Sequence, residues 1–165
     1  MGIRNGKGRK TGLKDRRGVL LRSMCPIANA LDFLGDKWTL LIVRDMLLLG
    51  KRTYSDFTCS SEAIPTNILA QRLKRLEKCG FVTKEPYQTK PPRFRYVPTT
   101  KAEDLLPVLI ETVRWSNKHI PGTAAPAPGF LEKLSKQGAK GLRQGLKEAK
   151  AGQFHSFKEV FGANQ

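Results

Sequence analysis

The sequence predicts a mainly α-helical protein carrying one small β-hairpin, an α+β arrangement with a single hairpin set among helices. Three observations lead there. Apolar residues recur at helical spacing in four segments between Cys25 and His119. Glycines at positions 35, 50 and 80 stop three of those segments. The one stretch that reads as paired strands, Phe81–Lys84 and Arg93–Val97, is split by a polar, proline-stiffened loop, Pro86–Pro92.

The elements follow in order. Cys25 to Leu34 reads as a short amphipathic helix with Pro26 in the first turn, where a missing N–H is harmless, and Gly35 as its stop. Asp36 then caps a second helix, Lys37 to Leu49, with Trp38, Leu41, Ile42, Met46 and Leu49 as its core stripe. Ser55–Phe57 opens one further turn of helix, and the Ser60, Ser61, Glu62 loop leads to Ile64-Pro65-Thr66. From Thr66 to Cys79, Leu69, Leu73 and Leu76 share one narrow arc, while Asn67, Gln71, Lys74 and Lys78 share the opposite arc, flanked by Arg75. The hairpin comes next. Thr99 or Thr100 caps a final long helix to about His119, through Leu105, Leu109, Val113 and Trp115, broken before Pro121. Residues 121–165 read as a Pro/Ala/Gly linker and a basic, weakly amphipathic tail; residues 1–24 read as a flexible basic arm.

A hairpin placed directly after a helix with a polar outer face is the wing of a winged helix-turn-helix. A recognition helix needs an apolar face that locks it to its scaffold and a polar face that reaches base edges, and Thr66–Cys79 supplies both. Asn and Gln pair with adenine N6 and N7, so Asn67 and Gln71, with Thr66 at the helix start, are the expected base-reading residues. Lys74, Arg75 and Lys78 lie further along and are expected at phosphates, while Lys90, Arg93 and Arg95, in or beside the wing, are expected to cross the backbone or enter a minor groove.

Charge agrees. The chain of 165 residues carries 30 Lys and Arg against 14 Asp and Glu, a net +16, which favours a polyanionic partner through counterion release. The arm alone holds eight cations and one acid. Double-stranded DNA is the expected partner; a membrane surface is not, because the most basic segment has little apolar content. The three cysteines, Cys25, Cys59 and Cys79, form no C-x-x-C pair, so neither a disulfide framework nor a zinc site is expected and a reducing cytoplasm is.

Several runs, in order, resemble the HxlR-type branch of the winged-helix regulators: Cys25-Pro-Ile-Ala-Asn-Ala-Leu31, Gly35-Asp-Lys-Trp-Thr39, Leu48-Leu-Gly-Lys-Arg52, Ile64-Pro-Thr-Asn-Ile-Leu-Ala-Gln-Arg-Leu73 and Lys78-Cys-Gly-Phe-Val82. Paired Pro91 and Pro92, and Tyr96 before the threonine cap, continue the likeness, which covers residues 25–120. The resemblance implies a transcription regulator acting as a homodimer on a palindromic operator, its interface built from Pro26–Leu34 and Thr100–His119. Ile27, Leu31, Leu109 and Trp115 are the interface residues expected on that basis. It further implies Cys25 as a candidate redox sensor, at a position where a helix dipole and the neighbouring Arg22 favour thiolate.

Catalysis is not expected. The only histidines, His119 and His155, lie in different segments, and no phosphate loop, nucleophile elbow or metal-ligand spacing occurs, so no cofactor and no metal is assigned. No pattern names a small-molecule effector. The competing reading is a basic protein that binds nucleic acid without sequence preference, at the nucleoid or ribosome.

Overall fold

The computed structural model describes residues 23–123 and Lys136. The readings of residues 1–22 of the basic arm and of the linker and tail from 124 onward, Lys136 apart, lie outside the described residues. Five helices lead up to or flank one hairpin, and a sixth closes the order: α1 Pro26–Leu34, α2 Lys37–Leu48, α3 Tyr54–Thr58, α4 Thr66–Lys78, β1 Val82–Gln88, β2 Arg93–Pro98, α5 Thr100–Glu103 and α6 Leu106–His119.

Local chemistry sets the helix ends. The Asp36 side chain accepts from the backbone N–H groups of Trp38 and Thr39, starting α2. Thr53 and Asp56 form a reciprocal capping box that starts α3. At the end of α4, Gly80 N–H donates to Glu77 O (3.0 Å) and Phe81 N–H to Leu76 O (2.9 Å). That Schellman closure needs a left-handed residue, which Gly80 provides at φ +73°. It also drops Phe81 into the core beside Leu76 and so aims β1.

The core is built by α2 (Ile42, Val43, Met46, Leu47), α3 (Phe57), α4 (Leu69, Leu73, Leu76) and the last two helices (Ala102, Leu106, Leu109, Ile110). The three leucines of α4 are all at most 2% exposed, so the helix is clamped along one whole side. The strands pair antiparallel, with Glu85 opposite Arg95 and an irregularity between Pro86 and Gln88. Tyr96 N–H donates to Arg52 O at 2.7 Å, and Thr53 bridges to Arg95, so the segment before α3 extends the hairpin by one short rung.

Four expectations need correction. β1 runs on to Gln88, so much of the expected loop is strand; Pro86 is tolerated because it sits at the bulged register of an edge strand. The expected single helix from Thr100 to His119 is two, α5 and α6. Pro107 is the cause: it lacks an N–H, and its ring would clash with the Glu103 carbonyl, so the chain restarts with Pro107 in the first turn of α6. Leu41 leaves the α2 core stripe and is half-buried, as is Trp38. Leu109, expected at a dimer surface, is buried in the chain's own core at 7% exposure.

Candidate nucleic-acid interface

The clamped leucine face of α4 turns Asn67, Gln71, Lys74 and Lys78 outward, and all four are exposed. Thr66 stands exposed at the first position of α4, its carbonyl accepting from the Tyr54 hydroxyl at 3.0 Å, so α3 pins the start of α4. Gln71 Oε1 accepts from Arg72 at 3.1 Å. Glu77 also lies exposed on this helix and is the acid among those cations.

Arg75, expected at phosphate, is hydrogen-bonded within the chain while its side chain stays 41% exposed. Its guanidinium donates to the Asp32 carbonyl and pairs with Asp36 at 3.8 Å, which ties α4 back to the α1–α2 turn. Arg72 does the same through Asp36, at 2.8 Å. Burial pushes the Asp36 carboxyl up, but hydrogen bonds from Thr39 and Arg72 outweigh it and hold the group below the usual aspartate range. Asp36 is therefore cap and strut at once.

On the hairpin, Lys90, Arg93 and Arg95 are all exposed. Arg95 donates to Glu85 Oε2 through two nitrogens, at 3.1 and 3.0 Å. Lys84 adds an unforeseen cation there, its ammonium 4.3 Å from the centroid of the Phe94 ring.

Sequence reasoning missed a buried polar knot beneath the turn that leads into α4. Asp45, fully buried, accepts from Arg44 (2.9 and 2.5 Å), Lys51 (3.0 Å) and Ser60 (2.8 Å). The Arg44 guanidinium also grips Glu62 in bidentate fashion, at 2.6 and 2.8 Å. That grip holds the Glu62 carboxyl down to about 2 against the upward push of burial, with help from the Ser60 hydroxyl. Ala63, next in the chain, sits at φ +49°, a left-handed backbone that an alanine adopts only when its neighbours are fixed. The knot thus sets the turn from which α4 departs. Its signal was present: Asp45 falls on the same helical stripe as Ile42, Met46 and Leu49, where a carboxylate must find partners.

Of the nine exposed large apolar residues among those described, Met24, Ile27, Leu31, Val108, Trp115 and Ile120 lie on or beside α1 and α6. Cys25 is exposed at the N-cap of α1. Cys59 is exposed and Cys79 is half-buried against the core, near the wing. Among the described residues, no helix is long and apolar enough to cross a membrane, and no cluster of three His, Cys, Asp or Glu is placed to hold a metal.

Comparison with known proteins decides the family. The profile of the HxlR-like helix-turn-helix matches residues 33–124, more than half of the chain. The chain belongs to the HxlR-like helix-turn-helix family. An HTH-type transcriptional regulator of Bacillus subtilis, YvaP, is 33% identical over 110 residues, which cover 66% of this chain and 95% of that one. A regulator of the same type from Synechocystis is 33% identical over 87 residues, covering 53% of this chain; the match spans 64% of that relative, just under two thirds of its length. Among solved structures, the redox regulator HypR in its reduced form superposes with a TM-score of 0.53 at 26% identity, covering 59% of this chain and 95% of that one. The fold of this HxlR-like chain is accordingly that of a winged-helix transcription factor.

Proposed function

We propose that this chain is a transcriptional regulator that binds double-stranded DNA with sequence preference, as a homodimer on a palindromic operator. Residues 25–120 are the DNA-binding domain, 1–24 a basic arm, and 121–165 a linker and tail. In this reading α4 enters the major groove. Asn67 and Gln71 read bases near its N-terminus, Lys74 and Lys78 meet phosphate, and Lys90, Arg93 and Arg95 of the hairpin follow the backbone.

One observation carries the reading. The polar side chains of α4 fall into two groups: Arg72 and Arg75 reach back to Asp36, while Asn67, Gln71, Lys74 and Lys78 stand outward on a helix held along its opposite side. A helix braced so firmly has a reason to present its outer face in a fixed orientation. Selection from a random duplex pool tests this. Gln71→Ala should relax the selected preference by about 1–3 kcal/mol at its base pair, and Lys78→Ala should weaken all duplexes alike. A pool that yields no preferred sequence would instead favour the non-specific nucleic-acid binder.

The dimer reading rests on the apolar side chains exposed on α1 and α6. Ile27→Asp with Trp115→Asp should give a folded monomer by sedimentation, with operator affinity reduced by the loss of one half-site. Leu109→Asp is not that test, since it would put a charge into the core. Thiol control at Cys25 is part of the same proposal: modification at the start of α1 would add bulk beside the dimer surface and shift the spacing of the two α4 helices. A mild oxidant should then change operator affinity in the wild type and not in Cys25→Ser, whereas Cys59→Ser and Cys79→Ser should still respond.

A further inference from the structure

A groove of about 350 Å3 lies between α2 and α6, walled by Leu41 and Leu48 on one side and Leu109 and Val113 on the other. That volume falls in the range of small-molecule sites. None of the six exposed apolar residues named above on or beside α1 and α6 lines it, although Thr112 on its rim stands between Val108 and Trp115 along α6.

The lining says what would fit. Arg44 is its one charged side chain, and both Asp45 and Glu62 already bind the guanidinium. An anion entering the groove would have to displace two carboxylates, and a cation would meet the guanidinium itself. An uncharged molecule meets neither penalty and buries its surface against five aliphatic side chains, Leu40 with the four named above. Ser116 and Asn117, also in the lining, can receive one polar group.

We propose that the groove between α2 and α6 binds an uncharged, mainly apolar small molecule carrying one hydroxyl or carbonyl group, and that occupancy reaches the DNA-reading helix through Arg44. The route is short. Arg44 lines the groove and holds Glu62 with its guanidinium, and Glu62 lies in the turn that fixes the departure of α4. A molecule that moves Arg44 therefore moves the start of α4. The binding part stands alone; the transmission part rests on α4 being the DNA-reading helix.

The experiment uses the full chain with 2-naphthol as probe. Isothermal titration of the protein without DNA should give saturable binding of one probe per chain, with Kd below about 1 mM. Thr112→Trp fills the groove from its exposed rim and Val113→Phe from its wall; each should weaken binding about tenfold or more while circular dichroism keeps the helical signal. In the second arm, saturating 2-naphthol should change affinity for the selected duplex about fivefold or more in the wild type. Glu62→Gln should keep 2-naphthol binding and lose that response. Absence of saturable binding overturns the site, as does binding that survives in both filled variants, or a groove found to open only when the dimer is dissociated. Binding with no effect on DNA affinity in a chain that does bind DNA overturns the transmission through Arg44. A chain that binds 2-naphthol and no duplex at all leaves the site standing and overturns the DNA-binding reading alone.

Discussion

Two arginine–carboxylate contacts in this protein are built from the same chemical groups and put to opposite uses. Arg44 with Glu62 and Asp45 is closed at 2.5–2.9 Å beneath the turn before α4; Arg95 with Glu85 is closed at 3.0 and 3.1 Å on the hairpin. The Asp45 side chain is 0% exposed, whereas Arg95 and Glu85 are 53% and 42% exposed. Burial makes the first pair costly to break, because each partner left behind would be a desolvated charge. Exposure makes the second cheap to break, because water and salt take over either partner. The fold therefore spends its immovable charges on orienting α4 and keeps its movable ones where a polyanion could claim them.

The comparison breaks if the knot proves dispensable. Asp45→Ala leaves the Lys51 ammonium, itself buried, without the carboxylate it donates to. It should cost about 3–5 kcal/mol of unfolding free energy in urea titration. A loss under about 1 kcal/mol would mean that water replaces the carboxylate and that the knot does not brace the turn.

Acid should find the same weak point. The folded Glu62 carboxyl is held down to about 2, against an ordinary value of 4.5. Its folded value is depressed, so its contribution is fully present above pH 4.5 and drains away as pH falls through 2. A tenfold change in proton affinity corresponds to about 1.4 kcal/mol, so the loss is at most about 3 kcal/mol, and less to the extent that water screens this partly exposed group. Glu62→Gln should be less stable than wild type at neutral pH, and the two should converge below pH 2. Parallel curves across that window would remove Glu62 from the account.

Legibility in the sequence divides along the same line. The outward face of α4, its leucine clamp, the stops at Gly35 and Gly80 and the existence of the hairpin were all readable, because each depends on local spacing or on one residue's backbone preference. The tie from Arg75 to the Asp32 carbonyl was not legible, because the two lie 43 residues apart in the chain. The knot is likewise built across 18 residues from Arg44 to Glu62, a distance at which periodicity is silent. Pro107 is a different kind of miss: the proline was visible, and its clash with the preceding turn was enough to divide the last helix. Leu109 shows that the stripe of an amphipathic helix does not reveal whether it packs on its own chain or on another.

The smallest expected effect sharpens the comparison most. Arg95→Ala should change folding stability by less than about 1 kcal/mol, as an exposed pair allows. Yet if the hairpin follows the DNA backbone, the same change should weaken all duplexes alike and reduce the salt slope of log K by about 0.9, the share of one phosphate contact. Glu85→Gln gives the opposite sign. It removes the carboxylate that competes with phosphate for Arg95, so affinity should rise modestly for every duplex while the selected sequence stays the same. A pair of variants with opposite effects on affinity and almost none on stability would mark Arg95 as a movable charge. If both variants left affinity and salt slope untouched, Arg95 and Glu85 would be a strand-pairing contact only, and the contact role of the hairpin would fall to Lys90 and Arg93.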